Sequence, residues 1–196
     1  MLRACRFASQ FLCRIEQKTL NAIKQCKAAS RFLAVERITA ELEKIWQSPR
    51  PSLGIQLLFH CDLLSYLPPF GDWRVTSVPD PLIARIDRAK GRKLRWAYFL
   101  YLCQTDETQV SQRLRQLRLS NRDRKAIVPV YTLARNWPER LSERKGKEWL
   151  CNYGWQVMEK AYALAMLINP SLRGEIDLRQ WWEEMPVKTL RDLAIT

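Results

Sequence analysis

Apolar residues recur three and four positions apart along most of this 196-residue chain. One clear stripe is Val35, Ile38, Leu42 and Ile45. This spacing places the four side chains on one face of an α-helix, where they can pack against a core. Glycine is scarce, with 6 residues, and no segment shows the alternation of a half-buried strand. The sequence therefore predicts an all-α fold of many helices with no sheet.

Prolines and polar clusters divide the chain into segments. The run SPRP at 48–51 ends the helix predicted over 35–46, because proline disfavours the α conformation at the residue before it. Ser52 is predicted to cap the next helix, and Ser120 with Asp123 resembles a capping box. Further on, a long helix is predicted over about 142–168 and a last one over about 177–184.

The segment 68–80, PPFGDWRVTSVPD, is the best candidate for a domain boundary, because no helical stripe passes through it. It divides the chain into residues 1–70 and 71–196. The most apolar stretch, 93–103, is eleven residues long. A membrane-spanning helix needs about 20 apolar residues. The sequence therefore predicts a buried core helix there and no membrane partner.

Positive charge is the strongest functional signal. The chain has 33 Lys and Arg against 20 Asp and Glu, a formal net charge of +13. The stretch from Arg85 to Lys125 holds twelve of the basic residues and only four acidic ones. Such an excess indicates a polyanionic partner, either nucleic acid or an acidic membrane surface, and nucleic acid is favoured. The alternative is a solvated basic surface with no specific partner.

A helix–turn–helix within this stretch can present several cations on one face. Arg115, Arg118 and Arg122 fall at positions i, i+3 and i+7 across it. Such a face can contact several phosphates of one nucleic acid. The predicted RNA contacts are Arg113, Arg115, Arg118, Arg122, Arg124 and Lys125.

Cysteine and histidine usage argues against metal or redox chemistry. No two of the six cysteines lie within four residues of each other, and His60 is the sole histidine. Zinc-finger and Cys-x-x-Cys patterns are therefore excluded. We expect reduced cysteines in the core of a cytosolic protein. His60 is expected to be a core or helix-end residue rather than a catalytic base.

Catalytic motifs are also missing from the sequence. There is no glycine-rich phosphate loop and no Asp-x-Asp pair for two Mg²⁺ ions. The sequence therefore predicts no catalytic residue, metal site or cofactor in this chain.

The segment VERITAE at 35–41 holds Glu-Arg-x-x-x-Glu. Arg37 and Glu41 lie four residues apart, so they can pair on one helix face. Glu36 lies near the helix N-terminus, where negative charge is favourable. Taken alone, the motif is typical of an ordinary helix salt bridge.

Its context is more specific. The chain contains MLRACRFASQF and, about 24 residues later, VERITAELEKIWQSPRPSLGIQLLFHCDLLSYLPPF. Together these two segments resemble the neck of bacterial class II tRNA nucleotidyltransferases. These are the CCA-adding enzymes of the poly(A) polymerase superfamily. The similarity continues loosely through LRLSNRDRKAI to MPVKTLRDLAIT, and there resembles the family's body and the start of its tail.

The resemblance implies a neck over 1–70 and a body with an incomplete tail over 71–196. It implies that Glu36, Arg37 and Glu41 support the nucleotide-binding residues and do not catalyse. Ala34 stands where the family usually has serine, so the helix start lacks its cap. Under this interpretation the acid-free residues 1–15 belong to a neck helix, not to a mitochondrial transit peptide.

The resemblance also implies that the catalytic head, with its Mg²⁺ and its CTP and ATP, precedes the neck, so Met1 is expected to be an internal methionine. We therefore expect a bacterial, cytoplasmic chain that binds the acceptor and TψC arms of tRNA but does not catalyse alone. One alternative is a helical module that complements a separately encoded head. Another is a basic helical protein unrelated to tRNA. Without the head, we expect exposed apolar residues at Leu2, Phe7 and Phe11.

Overall fold

A computed structural model describes residues 1–71, 73, 77–172 and 178–185. The described residues form α-helices joined by turns and short 3₁₀ segments, with no strand. The predicted all-α fold is confirmed. The α-helices are α1 (Leu2–Phe11), α2 (Gln17–Cys26), α3 (Val35–Trp46), α4 (Pro51–His60), α5 (Asp80–Ala84), α6 (Arg92–Leu102), α7 (Val110–Gln116), α8 (Asn121–Arg135), α9 (Glu143–Tyr153), α10 (Trp155–Ile168) and α11 (Leu178–Glu184).

Local sequence signals predicted several helix ends correctly. Helix α3 covers the predicted range 35–46, and Ala34 precedes it without a side-chain cap. At the start of α8, the Ser120 hydroxyl accepts a hydrogen bond from the Asp123 backbone N–H at 3.1 Å. The same hydroxyl donates to the Asp123 carboxylate at 2.8 Å. The predicted cap is therefore confirmed.

The single long helix predicted over 142–168 is wrong. The structure has two helices, α9 and α10, separated by Gly154. Gly154 has φ +77° and ψ 163°, a backbone conformation open almost only to glycine. The chain changes direction there, although the apolar spacing continues on both sides.

The predicted Ser52 cap is also wrong, because α4 begins one residue earlier with Pro51 at its first position. The cap comes from a distant residue instead. The Asp87 carboxylate accepts hydrogen bonds from the Ser52 backbone N–H at 2.9 Å and from its hydroxyl at 2.6 Å. In addition, the Gly54 N–H donates to Ser9 Oγ of α1 at 2.7 Å. Helix α4 is thus capped by two segments that pack against it.

One hydrophobic cluster extends through the described residues and across the predicted boundary at 68–80. Trp46 of α3 packs edge-on against Trp96 of α6, with ring centroids 5.2 Å apart. Phe70 packs against Phe99 of α6 at 5.8 Å. Helix α10 packs against α8 and α6. The two predicted parts therefore share a continuous core.

Helix α1 lies against α3 and α4. Leu2, Cys5 and Ala8 form its buried face. The predicted exposure of Leu2 is therefore wrong, because that residue points into the core. Phe7 and Phe11 are 40% and 64% exposed, as expected, and their rings stack at 5.6 Å.

The expectation that most of the cysteines are core residues holds for three of the six. Cys5, Cys61 and Cys103 are buried, and Cys13, Cys26 and Cys151 are exposed. Helix α2 explains Cys26, because that helix packs at the periphery and buries only Ile23. None of the six forms a disulfide in this structure. Among the described helices, none has the length and apolar character needed to cross a membrane.

Candidate nucleic-acid interface

The turn between α7 and α8, residues 117–120, is fixed against α3. The Thr39 hydroxyl of α3 donates a hydrogen bond to the Leu117 carbonyl at 2.7 Å. Arg118 follows with φ +56°, the left-handed conformation common just after a helix end. Its guanidinium Nε lies 3.4 Å from the Glu36 carboxylate, and both side chains are exposed. Arg118 is therefore held at the surface beside the start of α3.

The structure brings most of the predicted RNA contacts to the surface around this turn. Arg115 and Arg118 lie at the end of α7 and just beyond it, and Arg122 and Lys125 lie one turn apart on α8. All four are exposed. Arg124 is only partly exposed, and its buried Nε has no hydrogen-bond partner among the described residues.

Arg113 lies apart from this group. Its guanidinium is 4.8 Å from the centroid of the Trp73 ring and donates to the Gln109 side chain at 3.2 Å. Arg113 lines a separate cleft with Trp73 and Cys103. Side chains two residues apart on a helix point in different directions. Arg113 and Arg115 therefore do not line the same groove.

Within the described residues, the four acidic residues of the basic stretch form no ion pair with the exposed cations around the 117–120 turn. Asp87 caps α4, and Asp106 accepts hydrogen bonds from the backbone and hydroxyl of Thr108. Glu107 accepts from the Asn136 amide at 2.7 Å. The ion pairs that these acids make within the described residues go to Arg50 and Arg92. They therefore do little to neutralise the exposed cations around the 117–120 turn.

Arg92 joins α3, α6 and α8 behind the turn. Its guanidinium donates to Glu43 of α3 at 2.6 Å and to the carboxylate of Asp123 on α8. Trp96 Nε1 donates to the same Glu43 oxygen at 2.8 Å. These bonds fix the start of α8, which carries Arg122 and Lys125, relative to the rest of the fold.

This network changes the acidity of its members. The hydrogen bond to Asp123, supported by the one to Glu43, raises the pKa of Arg92. Burial by itself would raise the pKa of Asp123, but hydrogen bonds from Arg92 and Ser120 favour the carboxylate and lower it. Arg92 and Asp123 are therefore both charged at neutral pH.

The Glu-Arg-x-x-x-Glu motif is arranged differently from the prediction. Arg37 and Glu41 do not pair; Glu41 instead accepts a hydrogen bond from Arg6 Nε of α1 at 2.8 Å. Lys44 and Arg3 lie 3.4 and 3.9 Å from the same carboxylate. Arg37 is exposed. Sequence reasoning missed Arg6, although the MLRACRF segment that contains it was part of the resemblance.

The described residues contain no group of three or more His, Cys, Asp or Glu side chains that could hold a metal ion. His60 lies at the exposed end of α4, with Nε2 3.0 Å from the Asp80 carboxylate. It is therefore a helix-end residue, as expected. We assign no Mg²⁺ site to this part of the chain.

Family models match two parts of the chain. Residues 14–73 match "Probable RNA and SrmB-binding site of polymerase A". Residues 88–196 match tRNA nucleotidyltransferase domain 2, over more than half of the chain. Together the two matches cover most of this helical chain. The chain belongs to the tRNA nucleotidyltransferase family.

Curated relatives are named CCA-adding enzymes. The one from Bacillus mycoides is 28% identical over 207 residues, and the one from Pediococcus pentosaceus is 26% identical over 205. Each match covers all of this chain and 48% of the relative, so the chain spans about half the length of these proteins. The Bacillus stearothermophilus CCA-adding enzyme, solved with CTP, has the same fold over all of this chain and 49% of its own, with a TM-score of 0.76 and 23% identity. The last residues of the predicted resemblance, 186–196, lie outside the described residues.

Proposed function

We propose that this chain is the tRNA-binding part of a CCA-adding tRNA nucleotidyltransferase. Residues 1–70 serve as its neck, and residues 71–196 as its body and tail region. The phosphates of the acceptor and TψC arms lie along the 117–120 turn. The proposed phosphate contacts are Arg113, Arg115, Arg118, Arg122, Arg124 and Lys125.

The observation that carries this proposal is the group of exposed cations around the turn. Within the described residues, the acids of the same stretch pair with Arg50 and Arg92 instead, and Glu36 pairs with Arg118 alone of this group. A-form RNA is recognised mostly by its shape and backbone, which exposed arginines on a rigid frame can contact. The rigid frame here is the Arg92 network and the Thr39–Leu117 hydrogen bond. Arg113 and Arg124 are less accessible, and we expect weaker contributions from both.

Nucleotidyl transfer in this proposal depends on a head outside these residues. Two-metal transfer from CTP or ATP needs carboxylates that hold both Mg²⁺ ions. Glu36, Arg37 and Glu41 act as positioning residues of the neck: Glu41 fixes α1 on α3 through Arg6, and Glu36 holds Arg118. The purified chain is expected to incorporate no CMP into a tRNA that lacks CCA.

Fluorescence anisotropy of the full chain with labelled tRNA lacking CCA tests the binding proposal. We expect affinity about tenfold tighter for tRNA than for random duplex RNA of equal length, with a log–log salt slope of about −4 to −5 for six contacts. Replacing Arg115 and Arg122 by Gln should make the slope shallower by about 1.5. The control replaces Arg140 and Arg144, which are exposed outside the basic stretch. Equal affinity for both RNAs would show non-specific electrostatic binding and overturn the proposal.

A second candidate function is supported by α1. The stacked Phe7 and Phe11 are exposed there, next to an apolar groove lined by Ile15, Leu20 and Leu57. We propose as the alternative that this surface docks a separately encoded nucleotidyltransferase head. Mixing the two purified chains should then restore CMP incorporation that neither shows alone. Replacing both phenylalanines by Ser should abolish complementation while tRNA binding is retained.

A further inference from the structure

A groove opens between α3, the 68–70 segment and α7, at the edge of the basic surface. Val35, Pro68 and Pro69 form its apolar lining, with Pro68 exposed and Pro69 buried. Arg115 and Arg118 stand at its rim with the Gln112 side chain. The groove encloses about 460 Å³, within the usual range of small-molecule sites. It is therefore large enough for one nucleotide, and its rim is positively charged.

We propose that this groove binds one unpaired nucleotide of the RNA. The base lies against the exposed ring of Pro68, and the phosphates on either side of it contact Arg115 and Arg118. This proposal rests on the proposed tRNA binding, because those two arginines belong to the same phosphate-binding surface. It adds a site that distinguishes RNA with an unpaired nucleotide from a continuous duplex.

The side chains suit a base that has left its stack. Unstacked bases bind to flat surfaces, including arginine guanidinium planes, and are read by hydrogen bonds to their edges. Gln116 also lines the groove, and its Oε1 accepts from Trp73 Nε1 at 3.4 Å. That bond fixes the side-chain amide and leaves its N–H₂ as a donor for a base carbonyl or ring nitrogen.

Arg118 can exchange its present partner, Glu36, for a phosphate. Arg118 pairs with Glu36, but both side chains are about two-thirds exposed. Exposed ion pairs of this kind contribute little to stability. A phosphate can therefore replace Glu36 at low cost, while the Thr39–Leu117 hydrogen bond holds the turn in place.

The test compares three RNA hairpins with the full chain: a blunt hairpin, the same hairpin with a 3′ overhang, and one with a single bulged uridine. We expect an unpaired nucleotide to tighten binding by at least about fivefold in one of the two modified hairpins. A 4-thiouridine at the unpaired position should crosslink to the peptide containing α7. Binding of all three within twofold, with no such crosslink, would overturn the proposal even where tRNA binding itself is observed.

Two matched pairs of variants locate the effect. Replacing Arg115 and Arg118 by Gln should remove the preference for the unpaired nucleotide, whereas replacing Arg140 and Arg144, exposed outside the basic stretch, removes equal charge and should keep it. Gln112→Glu should reduce the preference, and Ser111→Glu should keep it. Positions 111 and 112 are both exposed in the first turn of α7, but only Gln112 lines the groove. An equal loss in both members of each pair would show general electrostatics and overturn the site.

Discussion

Arg6 of α1 donates a hydrogen bond from Nε to Glu41 of α3 at 2.8 Å, joining residues 35 positions apart. Their side chains are only 15% and 13% exposed. A charge that loses its partner in such a place keeps its desolvation penalty. Glu41 therefore pairs with Arg6 of α1 and not with Arg37 of its own helix.

Replacing Glu41 by Gln should therefore destabilise the protein by about 1–3 kcal/mol, because the Arg6 guanidinium is left without its carboxylate. Urea unfolding followed by circular dichroism measures the effect. Arg37→Gln is the matched control, since Arg37 is exposed on the same helix, and it should change stability by less than about 0.5 kcal/mol. Equal effects of the two variants would instead support the Arg37–Glu41 pair that was predicted from the sequence.

Asp87→Ala should destabilise the protein by about 1–2 kcal/mol, because two hydrogen bonds at the start of α4 are lost. Ser52→Ala removes only the hydroxyl and leaves the backbone N–H bonded to Asp87, so it should cost less. Chemical denaturation of both variants gives the comparison. An Asp87→Ala effect no greater than that of Ser52→Ala would contradict the capping role.

The Arg6–Glu41 pair and the Asp87 cap are contacts that the sequence did not predict. The ends of α3 and the Ser120 cap were predictable because their signals lie within four residues of the structure that they determine. The Asp87 cap and the Arg6–Glu41 pair each join residues 35 positions apart. Local spacing carries no information on such contacts.

The long helix over 142–168 was mispredicted for a different reason. A glycine inside a periodic pattern costs a helix only about 1 kcal/mol, so Gly154 does not by itself predict a break. In the structure its φ of +77° separates α9 from α10. At the candidate interface, the sequence placed the cations in one stretch but could not show that Arg113 packs over the ring of Trp73, which is distant in the chain.

Ala34→Ser should stabilise the protein by about 1 kcal/mol, because Ala34 occupies the cap position of α3 with extended backbone and no side-chain hydrogen bond. The hydroxyl can accept from a free N–H in the first turn. Ala40→Ser, at an exposed position inside α3, is the control and should destabilise by about 0.5 kcal/mol. Denaturation midpoints that shift in the same direction for both would exclude capping as the cause.

The Arg92 network should make stability depend on pH in acid. The pKa of Asp123 is lowered from its usual 3.8, so the folded state binds this proton less readily than the unfolded state. The contribution of the carboxylate is therefore complete above pH 3.8 and is lost as the pH falls through the folded-state pKa.

Asp123→Asn should destabilise the protein at pH 7 by about 1–3 kcal/mol. The difference from the wild type should shrink as the pH falls below 3.8. Urea denaturation between neutral pH and acid measures it, with the exposed Glu139→Gln as control. A difference that stays constant across this range would show that the charge of Asp123 contributes nothing.

The six cysteines should divide into two classes of reactivity. Cys13, Cys26 and Cys151 are exposed, whereas Cys5, Cys61 and Cys103 are buried. Burial raises the pKa of Cys5 to about 12 and also raises that of Cys103, so neither forms the reactive thiolate at neutral pH. Iodoacetamide should therefore add three labels quickly to the native protein and the other three only in denaturant, as counted by mass spectrometry. Replacing the three exposed cysteines by Ser should remove the fast phase of labelling without moving the denaturation midpoint. Rapid labelling of Cys103 in the native state would contradict the packing of α6.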